Sequence, residues 1–173
     1  MKKKCFWAFN IVLWLIILTI GGWLLYAYFW HNPQYIEPTF KAEQIVFNVE
    51  REVSRETIRA EIGELFGNPS YTISDDGENH SVWGHTNLLT RKITMYFGLN
   101  NASYAFTFAH ELVHLTEFVL NERYCEIKAF KVLYFSGNEY LKNCALYGVY
   151  LDLLGNYPDE YKFTGNIENL IEI

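Results

Sequence analysis

The residues best suited to chemistry lie in one short segment, Ala109-His110-Glu111-Leu112-Val113-His114. Histidines four positions apart on a helix lie on the same face, one turn apart. The imidazoles of His110 and His114 can therefore reach one Zn²⁺ at about 2.0–2.1 Å. Glu111 projects beside such a metal, where it can take a proton from a zinc-bound water. The spacing predicts a zinc site with Glu111 as the general base.

The surrounding sequence favours a metal site over histidines that only fill a core or cover a surface. The segment lies in the middle of a predicted helix whose apolar residues are too many for a single stripe, so we expect that helix to be buried on most sides. Ile93–Phe97 predicts a strand before it, and Asn100-Asn101 with Ser103 can cap its first turn.

Helical and strand patterns flank this segment. Residues 41–66 have the apolar spacing of an amphipathic helix, with a break near Ser54, and Gly67-Asn68-Pro69 ends it. Residues 71–73 and 81–83, on either side of a turn sequence, predict a hairpin. After the segment with the two histidines, further helices are predicted at residues 122–135 and 140–154. Ser136-Gly137-Asn138 separates them. This order of elements predicts the α+β class.

An uncharged stretch from Cys5 to Trp30 precedes the domain. It is long enough to cross a hydrocarbon core, which takes roughly 20 helical residues, and it ends in aromatic residues typical of a membrane interface. We favour an uncleaved anchor through residues 5–30 over a cleaved signal peptide, which would release a secreted domain. Because Lys2-Lys3-Lys4 comes first, the N-terminus is expected in the cytoplasm and the domain on the outer face of the membrane.

The predicted organisation is a transmembrane anchor at residues 1–30, a linker at 31–40 and a catalytic domain at 41–173. The chain carries a net charge of −6, and subtracting the three lysines at its N-terminus gives −9 for the remainder. This acidic balance argues against nucleic acid as a partner. Cys125 and Cys144 fit no zinc-ribbon spacing; we expect core residues, with a disulfide as the open alternative.

The histidine segment resembles the active helix of the zincin metallopeptidases, and in particular that of the gluzincin branch. In that branch a glutamate on the next helix is the third zinc ligand, and an acid or amide follows it four residues later. Asn121-Glu-Arg-Tyr-Cys-Glu126 is similar to this pattern. The resemblance therefore implies that Glu122 is the ligand and that Glu126 orients a zinc histidine. Glu126 is the alternative third ligand.

The layout from His110 to about Leu154 is also similar to an uncharacterised family of bacterial membrane-bound zincins. That family has an H-E-L-A-H core followed by an E-x-E-A-N-F segment. This chain departs from it in having one anchor instead of several spans and in lacking the E-A-N sequence. It also has Glu117 where a glycine often turns the chain. We therefore expect a left-handed Asn121 to end the active helix.

The resemblance implies a zincin-like fold that hydrolyses peptide bonds in a peptide or protein substrate. Ile93–Phe97 is then the strand that adds substrate along its edge, unless it is an internal strand with no free edge. Tyr140, Tyr147 and Tyr150 are candidates to stabilise an oxyanion, and His85 is a further conceivable ligand. The rival interpretation is a membrane-tethered binding or regulatory module whose metal site is vestigial, or is structural and closed by a fourth protein ligand.

Overall fold

A computed structural model describes residues 2–25, 53–76, 83–96 and 98–153. The predicted linker at 31–40 and the first part of the predicted amphipathic helix lie outside these ranges. The elements in chain order are α1 Lys2–Leu25, α2 Arg55–Leu65, β1 Thr72–Asp76, β2 Gly84–Asn87, β3 Lys92–Tyr96, α3 Asn101–Glu117, α4 Glu122–Tyr134 and α5 Glu139–Leu153. In the described ranges the chain therefore forms five helices and one small sheet.

Helix α1 covers most of the segment predicted to be an anchor. Within the described ranges, no helix has the combination of length and hydropathy needed to cross a membrane. The anchor through residues 5–30 stays a prediction.

Local signals decide where α2 begins and ends. The Ser54 side chain accepts a hydrogen bond from the Thr57 amide at 3.2 Å, which caps the first turn. The break predicted near Ser54 is therefore confirmed as the start of the helix. After Leu65, Gly67 and Asn68 both adopt positive φ angles, of 74° and 52°, and this confirms the predicted stop.

The sheet has the strand order β1-β3-β2, with β1 parallel and β2 antiparallel to β3. The predicted hairpin between residues 71–73 and 81–83 is wrong, because β1 pairs with β3 and not with its nearer neighbour in sequence; residues 81 and 82 lie outside the described ranges. The hairpin of the sheet joins β2 to β3. Its turn is built by Asn87, whose side chain accepts from the amides of Leu89 and Thr90 at 3.1 and 3.0 Å.

Strand β3 lies in the middle of the described sheet. Its side chains Ile93 and Met95 are fully buried. The expectation that this strand adds substrate along a free edge is therefore wrong, and the internal alternative is correct. The edges of the described sheet belong to β1 and β2.

Helix α3 lies at the centre of the domain and contacts the sheet, α2, α4 and α5. Most of its residues are buried, as predicted, and its N-cap Asn100 accepts from the Ser103 amide at 2.8 Å. Helices α4 and α5 match their predicted ranges to within one residue at each end. Between them Gly137 has φ 77°, which confirms the predicted break.

Candidate metal centre

His110 and His114 lie one turn apart on the buried face of α3, and Glu122 is the first residue of α4. Their Nε2 atoms are 2.9 Å apart. Glu122 Oε2 lies 2.9 Å from the Nε2 of His110 and 3.2 Å from that of His114. Ligand atoms in a tetrahedral zinc site stand about 3.3 Å from one another, given bonds of about 2.0–2.1 Å. The three atoms thus form a triangle of nearly the size that zinc requires.

The outer nitrogens of both rings face acceptors. His114 Nδ1 lies 2.6 Å from the carbonyl oxygen of Val119, and His110 Nδ1 lies 3.3 Å from Glu126 Oε1. A carbonyl oxygen only accepts, so we infer that His114 Nδ1 carries a proton. The same tautomer of His110 would turn its N–H towards Glu126. In neutral rings the two Nε2 lone pairs then point at each other and at Glu122 Oε2. A proton or a metal cation must lie among these three atoms.

The ionisation of these groups agrees with a site built for a cation. Burial alone lowers the pKa of His110, but the carboxylates of Glu126 and Glu122 outweigh it and raise that pKa well above its usual range. Burial alone raises the pKa of Glu122, but hydrogen bonds with His110 and His114 outweigh it and lower the pKa to about 2. Glu122 is therefore an anion at neutral pH, and it faces the lone pairs that a metal would occupy.

Glu126 lies on the other side of the His110 ring. It is buried, it contacts Nδ1 and not Nε2, and burial raises its pKa. Among the described residues, His110, His114 and Glu122 are the group whose ligand atoms converge. The structure thus brings Glu122 to the histidines as a possible ligand, and it places Glu126 where it can orient one ring.

The Glu111 side chain is buried against β2. The hydroxyl of Thr86 donates to its Oε2 at 2.6 Å. A Cβ atom built on Gly84 would lie 2.8 Å from Glu111 Oε1 and 2.8 Å from Thr107 Cγ2, which is closer than carbon packing allows. Our sequence reasoning gave no role to Gly84 or Thr86, although residues two positions apart in a strand lie on the same face.

His85 lies outside the group of residues whose ligand atoms converge. His85 is exposed on β2. The hydroxyl of Tyr147 accepts from Asn100 Nδ2 at 2.9 Å. That contact is at the far end of α3, about 15 Å from His110 at the rise of an α-helix, so Tyr147 is wrong as an oxyanion stabiliser.

The two cysteines of the domain are free and buried. The expectation of core residues is confirmed for Cys125 and Cys144, and the alternative disulfide is wrong. Burial raises the pKa of the Cys144 thiol to about 12. The Cys125 sulfur lies 3.4 Å from His114 Nδ1, so it packs behind the ring and not in the triangle.

The chain turns from α3 to α4 at a residue that the sequence did not indicate. Phe118 adopts the left-handed conformation, with φ 54° and ψ 41°. Asn121 is extended, and its side chain accepts from the Tyr124 amide at 2.9 Å. The expectation of a left-handed Asn121 is wrong, because this residue caps the start of α4 instead of ending α3.

Comparisons of the chain with protein-family models, curated proteins and solved structures find no match. The likeness to gluzincins therefore rests on the residues quoted above, and the zincin-like fold stays a prediction. A function for this chain has to be argued from its site.

Proposed function

We propose that this protein is a membrane-anchored zinc metallopeptidase in which His110, His114 and Glu122 hold the metal. The observation that carries the proposal is the triangle of acceptor atoms 2.9, 2.9 and 3.2 Å apart. His114 Nδ1 is hydrogen-bonded outside this triangle, and His110 Nδ1 faces Glu126. When bound there, zinc supplies Lewis-acid chemistry, which activates water and polarises a peptide carbonyl.

The donor set supports a catalytic rather than a structural site. Two imidazoles and one carboxylate are the protein ligands of several zinc peptidases, whereas structural sites are closed by four protein ligands, most of them cysteines. In the described part of the chain three such groups converge. The Glu122 side chain is 33% exposed and the histidines are buried, so the triangle is open to solvent on the Glu122 side.

We assign the role of general base to Glu111. It follows His110 in sequence, its carboxylate is buried, and Thr86 holds one of its oxygens at 2.6 Å. A carboxylate fixed in this way can accept a proton from the attacking water and pass it to the leaving amine. The bond to Thr86 keeps the side chain in one orientation through both transfers.

We propose that an extended peptide binds along β2. This strand lies at an edge of the described sheet, and its residues Gly84 and Thr86 contact Glu111. A peptide added there as a further strand would run beside the general base. The role first expected of Ile93–Phe97 thus passes to the neighbouring strand.

We also propose that α1 is the membrane anchor, with a cytoplasmic N-terminus and the catalytic domain on the outer face. Large apolar side chains are exposed along this helix, among them Trp14 (63%) and Leu18 (66%). A continuous apolar surface of this kind requires a lipid or protein partner. Fractionation of cells that express the full chain, followed by protease protection of the domain, tests both the anchor and its orientation.

Metal analysis and peptide digestion of the full chain in detergent test the site. We expect about one zinc per chain in the wild type and near-complete loss in His114→Ala. Glu122→Gln should lose more zinc than its matched control Glu126→Gln, since only Glu122 reaches the triangle. Glu111→Gln should keep zinc and fail to cleave a mixed peptide library. Cleavage by that variant at the wild-type rate would refute the mechanism, and zinc binding without any cleavage by the wild type would favour a structural site.

A further inference from the structure

The connection between α3 and α4 decides where the third ligand stands. Both histidines belong to α3, and Glu122 begins α4, so residues 118–121 set the distance between them. Phe118 is left-handed in this connection, a conformation that non-glycine residues hold only when their surroundings impose it. Something in the neighbouring structure must therefore fix this turn.

A group of three side chains, here called the clasp, joins the two ends of the connection. Glu117 is the last residue of α3, and Tyr124 and Lys128 lie in the first turns of α4. The Tyr124 hydroxyl donates to Glu117 Oε2, and Lys128 Nζ lies 3.2 Å from Glu117 Oε1. The clasp thus ties α4 to α3 directly across the turn.

Tyr124 is the member of the clasp that controls the position of α4. Its hydroxyl bonds to the Glu117 carboxyl group in a partly buried setting, where a hydrogen bond is stronger than in open water. Its backbone amide is held by Asn121 at 2.9 Å, so the residue is tied at both ends. Lys128 is 40% exposed, and an ion pair in that setting contributes little.

We propose that Tyr124 is a positioning residue for the metal, which acts through its bond to Glu117. The bond holds α4 so that Glu122 Oε2 stands 2.9 and 3.2 Å from the two histidine nitrogens. This inference rests on the proposed metal site but not on peptidase activity. Groups that orient a metal ligand typically change metal affinity about 10–100-fold.

The test measures Zn²⁺ affinity of the full chain by competition with a chromophoric chelator, and the visible spectrum of its Co²⁺ form. Tyr124→Phe should bind Zn²⁺ about ten times more weakly than the wild type, with a shifted Co²⁺ spectrum because Glu122 moves. Glu117→Gln should show a smaller loss, since its amide oxygen still accepts a hydrogen bond. The matched control Tyr134→Phe removes a hydroxyl from the same helix and should match the wild type in both measurements.

Wild-type affinity and an unshifted Co²⁺ spectrum in Tyr124→Phe would overturn the proposal. So would an equal loss in Tyr134→Phe, which would indicate a general loosening of α4. A wild type that binds no Zn²⁺ removes both the metal site and the role of Tyr124. Peptide hydrolysis is not measured in this comparison. If the chain binds Zn²⁺ without cleaving peptides, only the proposed peptidase function is overturned. The ratio of the Zn²⁺ affinities of the wild type and Tyr124→Phe still decides the role of Tyr124.

Discussion

Replacing Gly84 with alanine should disturb Glu111, the proposed general base, and leave the proposed metal ligands in place. The new Cβ would lie 2.8 Å from Glu111 Oε1, 2.8 Å from Thr107 Cγ2 and 3.0 Å from Glu111 Cγ. Carbon contacts normally begin at about 3.5 Å, so β2 or the Glu111 side chain must shift by roughly 0.5–0.7 Å. Either shift stretches the 2.6 Å bond from Thr86 to Glu111.

The expected changes in folding stability and in kcat can be estimated separately. Adding a methyl group to a packed site costs about 1–3 kcal/mol of folding stability, and a reacting group displaced by about 1 Å can lose about 100-fold in rate. The nearest atoms to the new Cβ belong to Glu111 and Thr107 and not to the triangle. Gly84→Ala should therefore keep its zinc and lose about 10–100-fold in kcat.

Zinc content, urea unfolding and the rate of peptide cleavage check this prediction on one preparation. Gly63→Ala is the matched control, because its Cβ would meet only the side-chain oxygen of Asn68 at 3.3 Å. Since Gly63 lies inside α2, alanine favours the helix there while the contact with Asn68 opposes it, so the free energy of unfolding should change by at most about 1 kcal/mol. Wild-type cleavage by Gly84→Ala would refute the argument that β2 holds Glu111 in its working position.

Substitutions at Thr86 test the contact with Glu111, and a thiol reagent tests the burial of the two cysteines. Thr86→Val should keep zinc and lower kcat about tenfold, because it removes the hydrogen bond to the Glu111 carboxyl group. Thr86→Ser keeps a hydroxyl and should restore most of the rate. Equal rates in the valine and serine variants would contradict this role of Thr86. In a Cys5→Ser background, neither Cys125 nor Cys144 should react with an aromatic disulfide reagent at pH 8 until urea is added. Both thiols are buried, and burial raises the pKa of each. A rapid reaction of the folded chain would contradict their burial.

Features set by neighbouring residues could be predicted from the sequence, and those set by distant pairing could not. Asn100 caps a helix as predicted, and the predicted break near Ser54 is a helix start, because each side chain bonds an amide three residues away. The hairpin prediction failed because β1 pairs in parallel with β3, and no turn sequence records a contact across such a crossover. Phe118 carries no sign of its left-handed φ, since a glycine or asparagine usually marks that position.

The choice between Glu122 and Glu126 shows where sequence reasoning reaches its limit. Residues four apart lie on one helix face, so both carboxylates can approach the same histidine, and spacing alone cannot rank them. Asn121 caps α4 so that the helix starts at Glu122, and the Glu122 carboxyl group lies near the Nε2 atoms of both histidines. Glu126, one turn later, lies near His110 Nδ1 instead. The His110 imidazole thus lies between two acidic side chains, with Nδ1 facing the buried Glu126 and Nε2 facing the partly exposed Glu122. In the proposed site, a ring held in this way would be a better donor to a cation, with Glu122 as the fellow ligand and Glu126 as the orienting group.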